Sequence, residues 1–423
     1  MEKVYCIPGH RWQLSFAEML SVFDTYKVQN NVISANKDFF IVDIDENFIH
    51  VLSYLGGIIE YGLIDTIFPN RDEFEKGFDD YIKTNLLQLE DEKLTIAVKT
   101  YSTESRRFWR MYRKELGKRI KKIGTANNKK VRYTEGRNDS VAQFIHKIKG
   151  KGVQITILSN KQTIFIGKTL EVQDIEGFTI RDRDRPYYSP DVGMLPPKLA
   201  RIMSNLVLGK QTQIIWDPFC GSGTVLMEAL MLGYNLIGTD ISVRSVNNTK
   251  GNIQWLGEKL EVDLTQPFLL FERRGVSGLH QTYNSIPYNE RGTISFVGEP
   301  YMGPPIRKNL PLKKIYEIKE NVENIIIDLV NKIEYIERQN RGTVQSVVLV
   351  IPIYKSRDEW IPLNITKPIR QLNKIGLYPP LWMKEIKKFT EEIELSWMRD
   401  NSFIKRKILV LHRNEPSNKD RKK

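Results

Sequence analysis

Cysteine and histidine are scarce in this 423-residue chain: Cys6 and Cys220 are the only thiols, and the five histidines never fall at ligand spacing. That scarcity excludes a disulfide framework and a zinc site, and metal-free chemistry is expected. There is no apolar run long enough to span a bilayer, which excludes a membrane-spanning helix. The opening MEKVYCIPGHRW lacks a basic-then-apolar leader with a small-residue cleavage site, so a cytoplasmic location is expected. A glycine loop at 221–223 has no Gly-Lys-Ser/Thr after it, which excludes a Walker phosphate loop, and the third glycine of the dinucleotide fingerprint is replaced by Leu226.

What is present begins with length and charge. A chain this long, with 41% hydrophobic residues, is expected to form two or three domains. Its net charge of +13 is unevenly placed: residues 1–98 hold 8 Lys and Arg against 17 Asp and Glu, a net of −9, whereas residues 99–151 hold 17 against 4, a net of +13. This basic block is interleaved with Phe108, Trp109, Tyr112 and Tyr133, which suits a polyanion that also presents flat bases. Arg110, Arg113, Lys118, Arg119, Lys121, Lys122, Lys129, Lys130 and Arg132 are the candidate nucleic-acid contacts. The alternative is a solvated basic helix face.

Periodicity separates the chain into regions. Residues 1–98 read as an acidic α+β domain of ferredoxin-like type, with a helix carrying Leu14, Phe16, Met19, Leu20 and Phe23 and a strand in FFIVDID. Residues 99–180 read as a second unit whose first helix places Phe108, Tyr112, Leu116, Ile120 and Ile123 on one stripe. Residues 181–210 form a linker and lead-in helix. From 211 to 415 strand, loop and helix alternate, which predicts a doubly wound α/β domain with a parallel sheet, a long helix over about 312–338, and two final strands, EEIELSWM and IKRKILVLH, as an antiparallel edge. Residues 416–423 are a basic tail.

The loop itself is IIWDPFCGSGTVLMEAL, a strand turning through glycines into a helix. In a doubly wound sheet a ligand sits there, beyond the carboxyl end of the first strand. Asp217 at that strand end would repel a pyrophosphate but attract an ammonium or a sulfonium. Asp240 closes the next strand, 17 residues past Gly223, where a carboxylate can accept from both ribose hydroxyls. A nucleoside with a cationic amino-acid tail matches both carboxylates, and S-adenosylmethionine is that molecule. Asp217, Pro218, Phe219, Gly221, Ser222, Gly223, Thr224 and Asp240 are therefore the candidate cofactor residues. The plainer alternative is a helix cap and an ordinary strand end.

A methyl donor needs an acceptor, and FVGEPYMGPP ends a later strand. The exocyclic amine of a base is a poor nucleophile because its lone pair is delocalised into the ring. Glu299 and the Pro300 carbonyl accepting its two hydrogens would localise that pair, while Tyr301 stacks on the base. The alternative is a proline-braked turn with a buried tyrosine.

With these motifs the chain resembles the THUMP-domain RNA guanosine N2-methyltransferases, most closely the type that modifies guanosine 10 of tRNA. DPFCGSGT looks like the family's cofactor loop, GTD its ribose-binding strand end and MLPPKLARIMSNL its lead-in helix. VRYTEGRNDSVAQFIHKIKGKGVQITI resembles the end of a THUMP region, and GKTLEVQDIEGFTIRDRDRP its connection to the catalytic domain. The resemblance covers about residues 100–300. It implies a Rossmann-like class I methyltransferase domain preceded by an α+β THUMP-like RNA-binding region, tRNA as substrate, and room for a small activating protein partner. One departure stands out: the usual Asp-Pro-Pro-Tyr is Glu-Pro-Tyr-Met-Gly here, with a carboxylate one methylene longer and an aromatic one residue early. Between Glu261 and Gly292 no residue is assigned to the adenine. Two other readings remain, an adenine N6-methyltransferase of DNA and a non-catalytic RNA-binding relative with an altered active site.

Overall fold

Alternating and β-branched runs dominate the first 172 residues, and they fold into one sheet. The computed structural model describes residues 1–88, 93–134, 141, 144–188, 194–265, 267–306 and 309–414. Its first unit comprises residues 1–12, 28–53 and 58–175, and its second comprises 13–27, 54–57 and 176–423.

Eight strands build the first unit: β1 (Glu2–Pro8), β2 (Asn30–Ala35), β3 (Phe40–Ile44), β4 (Ile58–Phe68), β5 (Lys93–Ser102), β6 (Lys130–Tyr133), β7 (Gly152–Ser159) and β8 (Ile164–Val172), in the order β2-β3-β1-β4-β8-β7-β5-β6. The border expected at residue 98 falls inside β5, so one sheet runs across it. The helix between β1 and β2, α1 (Trp12–Tyr26), counts with the second unit rather than with the acidic region expected to hold it. The reason is burial on every side: residues 14–23 are all buried, whereas an amphipathic surface helix buries one stripe. There Glu18 accepts from the backbone N–H of Gly56 and Gly57 and from Asn205 Nδ2, each at 2.7 Å.

Two helices, α2 (Arg71–Asn85) and α3 (Arg106–Ala126), cover the sheet of the first unit. Ser105 caps α3 by accepting from Phe108 N–H at 3.3 Å. Trp109, Tyr112, Leu116, Ile120 and Ile123 follow at three- and four-residue steps and bury against Phe74, Phe78, Leu94, Ile96 and Ile155. Trp109, not Phe108, is the fully buried start of this stripe, and Phe108 packs half-buried at its edge. Shortening Leu116 to Ala in such a contact costs about 2–5 kcal/mol.

The second unit is doubly wound. Strands β9 (Ile214–Asp217), β10 (Asn235–Asp240), β11 (Leu269–Arg273), β12 (Ile294–Gly298), β13 (Val344–Ser356), β15 (Leu377–Tyr378) and β17 (Ile404–Arg413) lie in the order β11-β10-β9-β12-β13-β17-β15; β14 (Glu359–Pro362) pairs with β13 and β16 (Ser396–Trp397) with β17. From β11 to β13 the pairs are parallel, and β17 returns antiparallel to β13. Parallel strands covered on both faces need continuous apolar runs, which IIW, ISFV and VVLVI supply. Of EEIELSWM only Ser396–Trp397 is strand. The chain order reverses at β9, with β10 on one side and β12 on the other, which opens a crevice at the strand tips.

Helices α4 (Pro197–Asn205), α5 (Thr224–Met231), α6 (Val243–Leu260), α7 (Leu279–Ser285), α8 (Leu312–Gln339) and α9 (Thr366–Lys374) flank this sheet. α8 buries Ile315, Ile318, Val322, Ile326, Leu329, Ile333 and Ile336, the stripe expected of the long helix. α5 is fixed through Glu228, whose two oxygens pair with Arg181 at 2.6 Å and Arg201 at 2.8 Å. The basic tail expected at 416–423, part of the expected linker (189–193) and part of the THUMP-like stretch (135–140 and 142–143) lie outside the described residues. Among the described residues no helix is long and apolar enough to cross a membrane.

Candidate active site

The glycine loop runs from the end of β9 to the start of α5. Gly221 and Gly223 both adopt left-handed backbone, with φ of +54° and +81°. A side chain at Gly223 would be strained and would also press its Cβ to 3.0 Å from the Thr249 methyl. Helix α6 holds the loop's carbonyls: Thr249 Oγ1 donates to Gly221 O at 3.1 Å and Asn252 Nδ2 to Ser222 O at 2.8 Å. Asp240 holds the other side, accepting from Gly221 N–H at 3.1 Å and from Ser242 N–H at 2.8 Å. The loop is therefore braced at both peptide faces before any ligand arrives.

Beyond it lies a cavity of about 280 Å³ lined by Asp217, Phe219, Gly221, Ser222, Thr224 and, from β12, Glu299. Six of the sequence-derived candidates thus meet on one cavity. Pro218, Gly223 and Asp240 are not among the lining residues; Asp240 borders the loop through its bonds to Gly221 and Ser242. Asp217 is 3% exposed, and Oδ1 accepts from Phe219 N–H at 2.9 Å. Burial first, then the charges of Asp240 and Glu299, pushes the Asp217 carboxyl up to about 8. A cation beside it would reverse that balance, because opposite charge favours the ionised form and acts strongly in a low-dielectric wall. An ammonium or sulfonium fits this donor-poor, carboxylate-rich end. Gly298 keeps the corner open, since a Cβ there would come to 2.6 Å from Asp217 Oδ1.

Glu299 differs from Asp217 in having a cation of its own. Arg406 Nε donates to Oε1 at 2.5 Å, and the two side chains are 6% and 15% exposed. Burial raises the Glu299 pKa while Arg406 and Arg399 oppose that rise. Pro300 is buried next to it, and the Tyr301 ring is 56% exposed, contrary to the buried tyrosine of the plainer alternative. An exposed ring beside an anionic acceptor can stack on a flat partner.

The basic block divides. Arg110, Lys118, Lys121, Lys122, Lys130 and Arg132 are exposed, and Lys129 is half-buried. Arg119 instead pairs with Glu75 and Asp79 on α2, and Arg113 is buried. The expected aromatic interleaving is corrected: Trp109 and Tyr112 are core residues, and Phe108 and Tyr133 pack against the same core, so none of the four presents a free face. Helical spacing put Trp109 and Tyr112 inside, where apolar area is removed from water.

The cavity also uses residues that sequence reasoning passed over. Met194 and Leu195 come from the lead-in segment, and Arg244, Ser245 and Asn248 from the first turns of α6. The last three recur at helical spacing directly after Asp240, a signal that was available but looks like any solvated helix face. Cys220 lines the cavity as well, but burial pushes its thiol up, so it offers no thiolate.

Residues 185–266 match the family model described as UPF0020, RMKL-like, methyltransferase domain. Over 175 residues the chain is 34% identical to the tRNA (guanine(10)-N2)-dimethyltransferase of Methanocaldococcus jannaschii, covering 40% of this chain and 46% of that one. Over 77 residues it is 44% identical to the protein of the same name from Methanothermobacter thermautotrophicus, covering 18% and 22%. The matches thus span less than half the length of these curated relatives. The crystal structure of TrmN from Thermus thermophilus superposes with a TM-score of 0.51 at 13% identity, covering 97% of this chain and 100% of that one, which shows the Rossmann-like methyltransferase fold.

Proposed function

We propose that the protein transfers a methyl group from S-adenosylmethionine to the exocyclic N2 amine of a guanosine in tRNA. The observation that carries this reading is the meeting of Asp217 and Glu299 on one cavity, at the tips of strands β9 and β12, behind a braced glycine loop. The names of the matching relatives support the same acceptor.

When bound, S-adenosylmethionine supplies a methyl group made electrophilic by its sulfonium. Asp217 faces the positive tail. Asp240, with a spare lone pair on each oxygen, accepts from the ribose hydroxyls. Phe219, Ser222 and Thr224 wall the pocket, while Pro218, Gly221 and Gly223 set the path of the loop. Glu299 and the Pro300 carbonyl accept the two amine hydrogens, which localises the nitrogen lone pair for attack, and Tyr301 stacks on the extruded base. The proton lost from nitrogen passes to Glu299 and then to solvent.

The exposed Arg110, Lys118, Lys121, Lys122, Lys130 and Arg132, with Lys129, supply a sequence-independent grip on tRNA phosphates, as suits a structured RNA met through its backbone. A cytoplasmic tRNA pool is the setting this reading assigns. The DNA-adenine reading has no observation in its favour.

Mass spectrometry of tRNA nucleosides with and without the protein tests the proposal. N2-methylated or N2,N2-dimethylated guanosine is the expected product; methyl label entering duplex DNA alone, or no acceptor at all, overturns it. Running the assay with the purified protein alone and again with cell extract reads the need for a small activating partner.

A further inference from the structure

Glu299 and Arg406 form a lopsided pair. β17 runs antiparallel along β13, with Arg406 opposite Pro352 on one side and Trp397 of β16 on the other. From there Arg406 Nε donates to Glu299 Oε1 at 2.5 Å, whereas Nη2 donates to Oε2 only at 3.5 Å, a long and weak bond. The Trp397 ring backs the guanidinium, with its centroid 5.2 Å away. One carboxylate oxygen is gripped closely, and the other, held by one long bond, keeps a further lone pair for acceptance, on a residue that lines the cavity.

We propose that Arg406 is a positioning residue for Glu299: it anchors the carboxylate through Oε1, holds it ionised, and leaves Oε2 to accept a hydrogen from the substrate amine. This rests on the methyl-transfer reading above. It also accounts for the Glu-Pro-Tyr-Met variant. Glutamate has one more rotatable bond than the aspartate usual at this place, and a fixed guanidinium removes the added freedom. The groups that face Glu299 are Asp217 from β9, which disfavours its charge, and Arg406 and Arg399, which favour it. Without Arg406 burial is less opposed, so the carboxyl takes up a proton at higher pH and becomes a donor at an oxygen that must accept.

The test compares wild type with Arg406→Gln, Arg406→Lys and Glu299→Gln. In Arg406→Gln, kcat at pH 7 falls, by up to about tenfold for each unit by which the Glu299 titration moves up. The loss shrinks as pH rises, while KM for S-adenosylmethionine holds. Arg406→Lys, which keeps the charge without the fork, restores the acid limb. Independently of turnover, carbon-13 NMR of the glutamate carboxyls, with the Glu299 signal assigned by its loss in Glu299→Gln, reads the titration directly. A Glu299 midpoint that is unchanged in folded Arg406→Gln overturns the proposal. If Arg406→Gln does not fold, an acid limb in Arg406→Lys displaced as far as the Glu299 charge loss would require also overturns it. If wild type leaves every RNA unmethylated while the carboxyl titration moves as described, the functional reading fails and the ion pair's control of Glu299 stands.

Discussion

The two units place their charge in opposite ways. In the second, a few carboxylates are buried at strand tips, where burial raises their pKa and named neighbours modify the rise: Asp240 and Glu299 add to it at Asp217, and Arg406 opposes it at Glu299. In the first, many cations stand in water on and after one helix, while Arg119, Arg113 and, on β5, Lys99 are drawn inward. The difference teaches that a buried charge acts through geometry and fails singly, whereas an exposed set acts through its summed field and fails gradually.

The sharpest break of this comparison is Asp217→Ala. Removing a buried charge that faces a cationic ligand should weaken S-adenosylmethionine binding by about 100-fold or more, read by calorimetry. Unchanged affinity would remove the role given to that carboxylate.

The pH dependence comes next. Binding a cation requires Asp217 ionised, so affinity should improve by up to about tenfold per pH unit from pH 6 and level off near 8, with no such slope in Asp217→Asn. Stability without ligand moves the opposite way. Because the folded-state pKa is raised from 3.8 to about 8, the folded chain holds this proton more tightly than the unfolded chain. The resulting stability is complete below about pH 4 and is lost as pH rises through 8. The Tm of the free protein, relative to that of Asp217→Asn, should fall across this window.

Gly298→Ala is smaller. Its Cβ would displace Asp217 Oδ1 without removing the charge, for a loss of about tenfold in cofactor affinity, since misplacement of about 1 Å is costly at such sites. Smallest per residue are changes in the exposed set. Reversing Arg110, Lys118 and Lys122 together should flatten the slope of log affinity for tRNA against log salt by about 2–3, and each alone by about 1. Arg119→Glu, by contrast, should lower Tm, because it sets three carboxylates together on α2 and α3. An unchanged salt slope in the triple variant would leave the exposed cations as a solvated face.

Much of the second unit was legible in the sequence because its signals are local. A glycine pair after an apolar strand, an acid ending each of two strands and a 28-residue apolar stripe all declare themselves within one window. The site was half legible for the same reason: Asp217 and Glu299 each end a strand. Arg406 was not, because it lies 107 residues from Glu299 and is brought to it across β13, which pairs with both β12 and β17, and no local pattern encodes that. The first unit was read too finely. A border at residue 98 followed the change in net charge, but charge is a property of the surface, and β5 carries its apolar run straight through it. The aromatics misled similarly: Trp109 and Tyr112 share a helix with the cations yet occupy its other face.

Helix α1 and the Gly56–Gly57 turn belong to the second unit although they interrupt the first, and Glu18 bonds them to Asn205. No single cut can therefore free the C-terminal half intact. A fragment beginning at 176 would lose both donors from the turn and leave Asn205 without the carboxylate it serves, along with a bare apolar wall where residues 14–23 had lain. Shuffling of whole halves between relatives is barred at this junction, and the N-terminal sheet can be exchanged only as an insertion around that retained helix.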